Sequence, residues 1–449
     1  MFVYVLNIEG KPLMPCKPRR ARLLLEGGGA KIINHTPFTI QLTYQTSNYT
    51  QPITLGVDAG SKHIGLSAST EKEELYVAQK DLRGEQIVKN LSERRAFRRS
   101  RRFRKTRYRK ARFLNRTKSK KKGWVAPSVK NKIQSHLDAI EEVTKILPVT
   151  QINVEVAQFD IQKINNPQIS GIEYQQGVQL GFRNVREYVL FRDNHKCRCC
   201  NGKSGDKILE VHHLESRKTG GNAPNNLITI CTTCHKQYHD GKIDLDKKIK
   251  RGKSHKDATF IGIMRKYLWN KLKEKYPNLK LNLCYGYQTK AIRFEYNIAK
   301  SHINDAYCIA KNLSAKPNDT MFVITQVRKH NRQIYRAKIL KKGIFKKAQA
   351  PYKVNNFCLY DKVKFNNQIL FIISRRINGY FGVGDINLKM IKDGINFKKL
   401  TFLSHSKSNL VINTKRDIFY KNIISSSNNK CEIEKFVQSQ RIQLSLFDL

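Results

Sequence analysis

The sequence predicts a multidomain α/β protein, and three observations support this prediction. Short apolar or β-branched runs, typical of buried strands, alternate with helical periods along most of the chain. A segment from about residue 166 to 255 interrupts this alternation and is rich in Cys and His. The chain has 449 residues, which is too long for one compact core. We therefore expect an α/β core that carries a small inserted domain and is followed by a β-rich segment from residue 321.

The composition indicates a polyanionic partner. Lys and Arg number 85 against 35 Asp and Glu, so the formal net charge is +50. Hydrophobic residues make up 40% of the chain, which is enough to bury several cores and excludes a wholly disordered basic protein. No apolar run reaches the roughly 18 residues of a membrane-spanning helix. The N-terminus lacks the basic region of a signal peptide. Nucleic acid therefore fits better as the partner than a membrane surface.

The first elements along the chain are strands and turns. FVYVLNI predicts a short buried strand, and the turn-rich KPLMPCKPRRAR follows it. QPITLGVDAGSKHIGLSAS, residues 51–69, predicts two strands with a tight turn at Gly60-Ser61, and Asp58 ends the first of them. INVEVA, residues 152–157, predicts a buried strand with Glu155 in its middle.

An arginine-rich stretch follows the first strands. Seventeen of the 29 residues in 94–122 are Lys or Arg, none is acidic, and four aromatic residues lie among them. No Gly or Pro interrupts this stretch, so we predict one long helix with Ser92 as its N-cap and Glu93 in its first turn. A disordered basic run and a nuclear-localisation signal are the alternatives.

The rest of the chain alternates between helices and strands. Helical periods cover 129–147, 265–276 and 297–313, and a strand is predicted over 281–287. Beyond residue 321 the pattern is strand-like with Asn-rich turns, including a hairpin over Asn366-Asn367.

Four of the ten cysteines form two C-x-x-C pairs, Cys197/Cys200 and Cys231/Cys234. In a long chain without a secretion signal this spacing favours a metal over disulfides. Four thiolates are the tetrahedral set that zinc prefers, so the pairs predict a closed structural zinc site. Cys199 is an additional thiol beside the first pair. The remaining cysteines, which include Cys358, are interpreted as ordinary thiols.

Histidines and asparagines lie between and after the two pairs. His213 is a candidate base that activates water, while His212, Asn226, His235 and His239 are candidate ligands or positioning groups for a divalent ion. A metal ion and one imidazole suffice to hydrolyse a phosphodiester. A zinc-stabilised DNA-contact domain without chemistry is the alternative.

The segment 197–239 resembles the HNH nucleases. The resemblance implies a ββα-metal domain with His213 as general base, His212 in a metal-ligand position, Asn226 as the middle Asn and His235 as the final His. The choice between His235 and His239 as the ligand that completes the site stays open.

A second group of candidate residues is dispersed along the chain. Asp58 ends a predicted strand, and His302 and Asp305 lie one helical turn apart on one face. Glu155 lies in an apolar strand, where a carboxylate is costly unless it is paired or metal-bound. The three carboxylates together are suited to bind two divalent ions about 4 Å apart for in-line phosphoryl transfer.

The order of strand Asp, strand Glu and helix Asp resembles the RuvC branch of the RNase H fold, whose third motif is matched by His302-x-x-Asp305-Ala306. The full order of motifs, together with the PLMP element at Lys11–Pro15, resembles the IscB family of transposon-associated RNA-guided nucleases and the related type II CRISPR effectors. This resemblance implies a split RuvC domain, an Arg-rich bridge helix, an inserted HNH domain and a small β-rich C-terminal domain. The implied boundaries are 1–50 (PLMP or RRXRR domain), 51–92, 126–165 and 256–320 (RuvC parts), 93–125 (bridge helix), 166–255 (HNH) and 321–449 (C-terminal domain).

The resemblance also implies partners and cofactors. A guide RNA encoded next to the gene pairs with one strand of a double-stranded DNA target that carries a short flanking motif; HNH cuts the paired strand and RuvC the displaced strand. Mg²⁺ or Mn²⁺ serves both sites, zinc is structural, and the protein is a monomer in a cytoplasmic, nucleoid-associated prokaryotic ribonucleoprotein. The residues expected to contact nucleic acid are Arg19, Arg20, Arg94, Arg95, Arg98, Arg99, Arg101, Arg102, Arg104, Arg107, Arg109 and Arg112.

Two other functions stay open at this point. One is an RNA-independent HNH endonuclease of the homing type, and the other is a non-catalytic guide-RNA-binding protein. The Arg-rich stretch between the first two RuvC motifs argues against the first. The presence of every candidate catalytic residue argues against the second.

Overall fold

The computed structural model describes residues 2–102, 124–156, 181–215, 222–243, 256–328 and 350–416, together with positions 168, 170, 179 and 245 and two short strands at 338–340 and 343–345. The chain forms two compact units. The first unit comprises Met1–Ala157 and Ile263–Leu449, and the second comprises Gln158–Gly262. The second unit is therefore an insertion in the sequence of the first.

The N-terminal residues form a small three-stranded sheet and one helix. The elements are β1 (Tyr4–Leu6), α1 (Pro18–Glu26), β2 (Ala30–His35) and β3 (Phe38–Leu42), with strand order β1–β3–β2. The strand predicted in FVYVLNI is confirmed, but helix α1 replaces part of the predicted turn-rich segment. Pro18 lies in the first turn, where its missing N–H breaks no hydrogen bond, and Ala21 is buried in the small core with Val5 and Ile40.

Seven strands form the central sheet of the first unit. They are β4 (Thr54–Ala59), β5 (His63–Ser69), β6 (Glu74–Asp81), β7 (Gln151–Glu155), β10 (Lys280–Cys284), β11 (Thr320–Gln326) and β19 (Asn409–Lys415). Their order is β10–β7–β4–β5–β6–β11–β19. The strands β10, β7 and β4 are mutually parallel, whereas β4, β5 and β6 form an antiparallel meander. The strands β11 and β19 complete this sheet, although the sequence analysis assigned most of β11 and all of β19 to a separate C-terminal domain.

Among the described residues, five further helices lie between β6 and β11 in the sequence, besides the two helices of the inserted unit. They are α2 (Gly84–Arg102), α3 (Pro127–Thr144), α6 (Lys256–Lys275), α7 (Gly286–Glu295) and α8 (His302–Ala310). The helix α2 begins eight residues before Ser92, so the predicted N-cap role of Ser92 is wrong. Residues 85–91 contain neither Gly nor Pro, so nothing in their sequence prevents the helix from starting earlier. The predicted continuation of this helix to residue 122 lies outside the described residues.

Within the described part of the inserted unit, a two-stranded antiparallel sheet and two complete helices are present. The elements are α4 (Val185–Arg192), β8 (Leu209–His213), β9 (Leu227–Cys231) and α5 (Thr232–His239). The arrangement β8–β9–α5 is the ββα order that the HNH resemblance implied. Its core contains the side chains of Cys197, Cys231 and Cys234, together with Ile228 and Ile230.

The described strands between β11 and β19 form two separate antiparallel sheets. The strands are β12 (Lys338–Leu340), β13 (Gly343–Phe345), β14 (Lys362–Phe365), β15 (Gln368–Arg375), β16 (Tyr380–Gly384), β17 (Met390–Asn396) and β18 (Thr401–Ser404). Five of them pair in the order β17–β16–β15–β14–β18, while β12 pairs with β13. The predicted hairpin is confirmed, since Asn366 and Asn367 join β14 to β15 with φ values of 47° and 60°. Among the described residues, no helix is both long enough and apolar enough to cross a membrane.

Candidate metal centres

Asp58 and Glu155 lie next to each other at one end of the central sheet. Asp58 is the penultimate residue of β4 and Glu155 is the last residue of β7. The two strands are parallel, and their register pairs Asp58 with Glu155. Glu155 therefore ends its strand, and its predicted place in the middle of the strand is wrong. The end position leaves its side chain half-buried at the sheet edge instead of enclosed in the core.

Helix α8 brings His302 and Asp305 to the same end of the sheet. Its N-terminus is capped by Ser301, whose Oγ accepts a hydrogen bond from the Asn304 N–H. The helix packs closely on β4 and β5 because two glycines leave room for it. A Cβ atom at Gly56 would lie 2.0 Å from the Ala306 carbonyl oxygen, and one at Gly65 would lie 1.9 Å from that of His302. This contact places His302 Nδ1 2.6 Å from Asp58 Oδ2.

Helix α7 supplies two partners that the sequence analysis missed. Arg293 Nε lies 2.7 Å from Asp305 Oδ1, and both side chains are mostly buried. The Thr289 hydroxyl donates a hydrogen bond of 2.5 Å to Glu155 Oε2. Neither residue belongs to a motif, and only the packing of α7 against α8 brings them to the site.

Burial and repulsion between the carboxylates dominate the electrostatics of this carboxylate centre. Burial, together with the charges of Asp58 and Asp305, raises the pKa of Glu155, although Thr289 lowers it. Burial and the charge of Asp58 likewise raise the pKa of Asp305 to about 6, against the opposing effect of Arg293. Divalent ions bind to such clusters because they offset carboxylate repulsion. The three carboxylates offer the oxygen donors that Mg²⁺ and Mn²⁺ prefer, although their ligand atoms do not all lie within 4.8 Å of one another and Asp305 also pairs with Arg293.

Neighbouring carboxylates also control the protonation of His302. Burial opposes its protonated form, but the hydrogen bond and charge of Asp58, with the charges of Asp305 and Asp81, outweigh burial and raise its pKa. The ring of His63 lies 5.1 Å from that of His302, centroid to centroid, and its Nδ1 is 2.6 Å from Asp81 Oδ1. A second imidazole therefore adjoins the centre.

In the inserted unit, the four cysteines of the C-x-x-C pairs converge. The Sγ atoms of Cys197, Cys200, Cys231 and Cys234 all lie within 4.8 Å of one another. Ser204 Oγ lies 3.3 Å from Cys200 Sγ and 3.2 Å from Cys231 Sγ. Cys199 is not a member of this group. Four thiols gathered in a small core, without a disulfide among them, fit a tetrahedral zinc ion.

Three histidines form a second cluster in this unit. Candidate ligand atoms of His212, His235 and His239 lie within 4.8 Å of one another. His235 Nε2 is 3.1 Å from His212 Nδ1 and 3.0 Å from His239 Nε2. The other ring nitrogen of His235 contacts the Glu210 carboxylate, as is usual for a metal-binding histidine. The structure thus brings His235 and His239 together with His212, so both can contribute ligands.

His213 and Asn226 lie outside the three-histidine cluster. His213 follows His212 in β8 and therefore projects from the opposite face of the strand, where its Nε2 is 3.0 Å from Asn222 Oδ1. The Asn226 side chain is fully buried, accepts a hydrogen bond from the Glu215 N–H and donates one to the Glu215 carbonyl. Asn226 thereby fixes the loop that follows His213.

Arg192 of α4 is a further positioning residue that the sequence analysis missed. Its guanidinium donates to the carbonyls of Pro224 at 2.7 Å and Leu227 at 2.8 Å, on either side of Asn226. The residue has no motif around it, and only the packing of α4 against β9 reveals its contacts.

Part of the predicted nucleic-acid surface is described. Arg19 and Arg20 are exposed on α1, and Arg95, Arg98 and Arg99 are exposed on α2, where Arg94 is half-buried. Arg101 and Arg102 lie in the last turn of the described part of α2. Arg104, Arg107, Arg109 and Arg112 lie outside the described residues.

Comparisons with known proteins find matches for both units. Residues 3–177 match the RRXRR protein family, and residues 197–241 match the HNH endonuclease family. A stretch of 68 residues is 31% identical to Anaredoxin from Nostoc sp. and covers 14% of this chain and 83% of that protein. Over that stretch the two proteins belong to one family.

Solved structures with detectable similarity include two of Streptococcus thermophilus Cas9, in complex with the AGAA PAM and the AGGA PAM. They share 15% and 13% sequence identity with this chain, at TM-scores of 0.31 and 0.32. Each alignment covers 48% of this chain and 30% of the Cas9 chain, so this chain spans less than a third of the length of those structures.

The HNH match identifies the inserted unit with a class of metal-dependent phosphodiester hydrolases. The RRXRR match covers the N-terminal sheet, β4–β7 and the first two carboxylates of the dispersed centre. The chain therefore combines a region that matches the RRXRR protein family with an HNH endonuclease domain.

Proposed function

We propose that this protein is an RNA-guided DNA endonuclease that cuts the two strands of its target at two different centres. The observation that carries the proposal is the presence of two separate sets of candidate metal-binding side chains, one of carboxylates and one of histidines, in two units of one chain. Two sets would allow each strand of one target to be cut at its own centre, as is needed when a guide separates the strands.

The carboxylate centre is assigned to the displaced strand. This assignment is supported by the RuvC-like order Asp58, Glu155, Asp305. It is also supported by the strand order of the central sheet, in which an antiparallel meander is extended by parallel strands. Mg²⁺ or Mn²⁺ bound to these carboxylates would stabilise the negative charge on the attacking and leaving oxygens. Because Nδ1 of His302 is hydrogen-bonded to the Asp58 carboxylate, Nε2 is the ring atom that takes the proton from the attacking water. Thr289 and Arg293 hold Glu155 and Asp305 in orientation.

The histidine centre is assigned to the strand paired with the guide. His212, His235 and His239 bind the divalent ion, which would stabilise the charge on the leaving oxygen. His213 is the general base for the attacking water, and Asn222 holds its ring. Asn226 and Arg192 are positioning residues that fix the loop after His213. The four-cysteine zinc site maintains the fold of this unit.

The basic surface is assigned to the guide and its target. Exposed arginines on α1 and α2 fit the phosphate backbone, for which Arg forms bidentate contacts. The guide RNA is encoded beside the gene, and the segment 321–449 reads a short flanking motif and contacts the guide scaffold. The protein acts as a monomer in this ribonucleoprotein. The net charge of +50 supports an extended nucleic-acid partner, because fewer phosphates would leave strong self-repulsion.

The first experiment identifies the bound RNA. The protein is expressed together with its own flanking DNA, purified in high salt, and the retained nucleic acid is sequenced. A discrete RNA from beside the gene supports the proposal and supplies the reagent for cleavage assays. Random cellular RNA that is released as the salt concentration rises would contradict it and favour the RNA-independent HNH enzyme.

The second experiment compares matched DNA with unmatched DNA that carries the same flanking sequence. Guided cleavage predicts that only the matched DNA is cut on both strands. Equal cutting of both substrates would overturn the proposal.

A further inference from the structure

A fourth group of candidate metal-ligand side chains lies in the C-terminal sheet, outside the carboxylate centre, the four-cysteine group and the three-histidine cluster. Cys358 and Asp361 lie in the turn that leads into β14, and His405 directly follows β18. Candidate ligand atoms of these three residues all lie within 4.8 Å of one another. The sequence analysis interpreted Cys358 as an ordinary thiol because no second cysteine accompanies it.

Strand pairing explains how residues more than forty positions apart come together. β14 and β18 are antiparallel neighbours, and Lys362 pairs with Ser404. Asp361 and His405 are the next residues outward from this pair, so they lie side by side. Cys358 joins them through a tight turn in which its N–H donates to Asp361 Oδ2 at 2.7 Å.

The Asp361 carboxylate is incompletely satisfied. Its side chain is 0% exposed, and its Oδ1 atom is buried and receives no hydrogen bond from the described residues. His405 Nδ1 lies 3.0 Å from this oxygen but does not donate to it in a favourable geometry. A buried carboxylate oxygen without a donor is costly, and a bound cation removes that cost.

We propose that Cys358, Asp361 and His405 bind a zinc ion whose fourth ligand is water. Sulfur, imidazole nitrogen and carboxylate oxygen are the three donor types that zinc accepts, whereas Mg²⁺ takes oxygen ligands. One thiolate and one carboxylate neutralise the 2+ charge of the ion, so the buried site carries no net charge. The His405 side chain is 51% exposed, which gives the ion and the water a path to the site.

The position of the site indicates a structural role. Among the described strands, β18 pairs with β14 alone and is therefore an edge of the five-stranded sheet. A register shift between Lys362 and Val363 weakens this pairing. The zinc ion would connect the turn before β14 to the end of β18 and so hold the edge strand in place.

The test measures zinc in the purified full-length ribonucleoprotein after dialysis against a weak chelator. His405→Asn is the main variant because its exposed side chain leaves no buried cavity. It is expected to contain one zinc ion fewer per chain than the wild type, and Cys358→Ser is expected to show the same loss. His35→Asn and Cys16→Ser, which change a His and a Cys elsewhere in the first unit, serve as controls and are expected to retain the wild-type zinc content. The difference between variants is informative whatever the other three candidate centres bind.

Hydrogen exchange provides a second measurement. Chelator treatment of the wild type and the His405→Asn substitution are both expected to accelerate amide exchange in β14 and β18. Unchanged zinc content in both His405→Asn and Cys358→Ser would overturn the proposal. A fall in stability of these variants without loss of zinc would also overturn it, because the residues would then form a plain ion pair.

Discussion

The two proposed nuclease centres differ in how their residues are distributed along the chain. The candidate histidine and cysteine ligands of the inserted unit occupy one segment, 197–239, whereas the proposed carboxylate centre draws on residues from 58 to 305. The inserted unit has a small core and is built around its four thiols. The carboxylate centre lies at the end of a seven-stranded sheet that has its own extensive core. Metal binding should therefore determine the fold of the inserted unit. In the carboxylate centre, metal binding should determine only the chemistry.

The largest effect is expected from a substitution in the four-cysteine group, which tests this difference directly. Cys231 is fully buried and caps α5, and Cys231→Ser removes one thiolate from the zinc site. Because structural zinc contributes on the order of 10 kcal/mol to small domains, we expect the inserted unit to unfold while the first unit stays folded. Hydrogen exchange resolved by peptide and zinc content measure this outcome. Cys199→Ser is the control, since Cys199 lies outside the four-cysteine group. Retained protection of β8 and β9 in Cys231→Ser would contradict the prediction.

The second-largest effect is expected from substitutions that abolish the cutting of one DNA strand only. We expect His213→Ala to leave a nick in the displaced strand only, because general-base catalysis contributes about 10²–10⁴-fold to the rate. Asp58→Ala should leave a nick in the paired strand only, with at least as large a loss, because the divalent ion loses a ligand. End-labelled strands of matched DNA report each cut. Glu71→Ala, an exposed carboxylate outside the centre, is the control. If both single variants still cut both strands, the residue assignment is wrong.

A smaller effect depends on pH. Burial and the charge of Asp58 raise the pKa of Asp305 to about 6, so below about pH 6 a proton competes with the divalent ion for this carboxylate. The Mg²⁺ concentration for half-maximal cutting of the displaced strand should then rise by up to about tenfold per pH unit. The His213→Ala variant, in which this strand alone is cut, allows the measurement from about pH 7.5 to 5. A requirement that does not change with pH below 6 would contradict the assigned role of Asp305.

The smallest effect concerns a residue that lies beside the carboxylate centre. Thr289→Val keeps the shape of the side chain but removes the hydrogen bond to Glu155. A hydrogen bond to a charged group contributes about 1.5–3 kcal/mol at most, so we expect displaced-strand cutting to fall by about tenfold. Cutting of the paired strand should not change, and it provides the internal control. An equal loss on both strands would indicate general destabilisation instead of a positioning role.

The contrast between the centres also explains which residues could be predicted. Cys197, Cys200, Cys231 and Cys234 are recognisable because their spacing is local and zinc imposes it. The placement of Asp58 beside Glu155 depends on the register of β4 and β7, which no local pattern encodes. Glu155 was therefore predicted in its strand but not at the strand's end. Thr289, Arg293 and Arg192 carry no motif at all, because a side chain that orients a ligand needs only to reach it.

Errors in the local structure have a similar origin. The helix α1 forms where three prolines suggested turns, because burial of Ala21 and Leu13 in a common core favours a helix that begins at Pro18. Ser92 has the chemistry of an N-cap, but the residues before it also favour a helix, so α2 starts earlier. For α1 the local pattern allowed two structures and packing in the core selected one, whereas residues 84–99 of α2 include no buried side chain and the earlier start follows from the local sequence.

The resemblance to the HNH nucleases implied the ββα order of the inserted unit, and the sequence by itself determined the α/β class, the net positive charge and the two C-x-x-C pairs. These depend on hydrophobic period, net charge and short spacings, which are properties of neighbouring residues. Tertiary structure alone decided that His235 and His239 join His212, and that Cys358, Asp361 and His405 meet at one sheet edge. Strand register and helix packing bring together residues that are distant in the chain, and those contacts depend on the whole folded core.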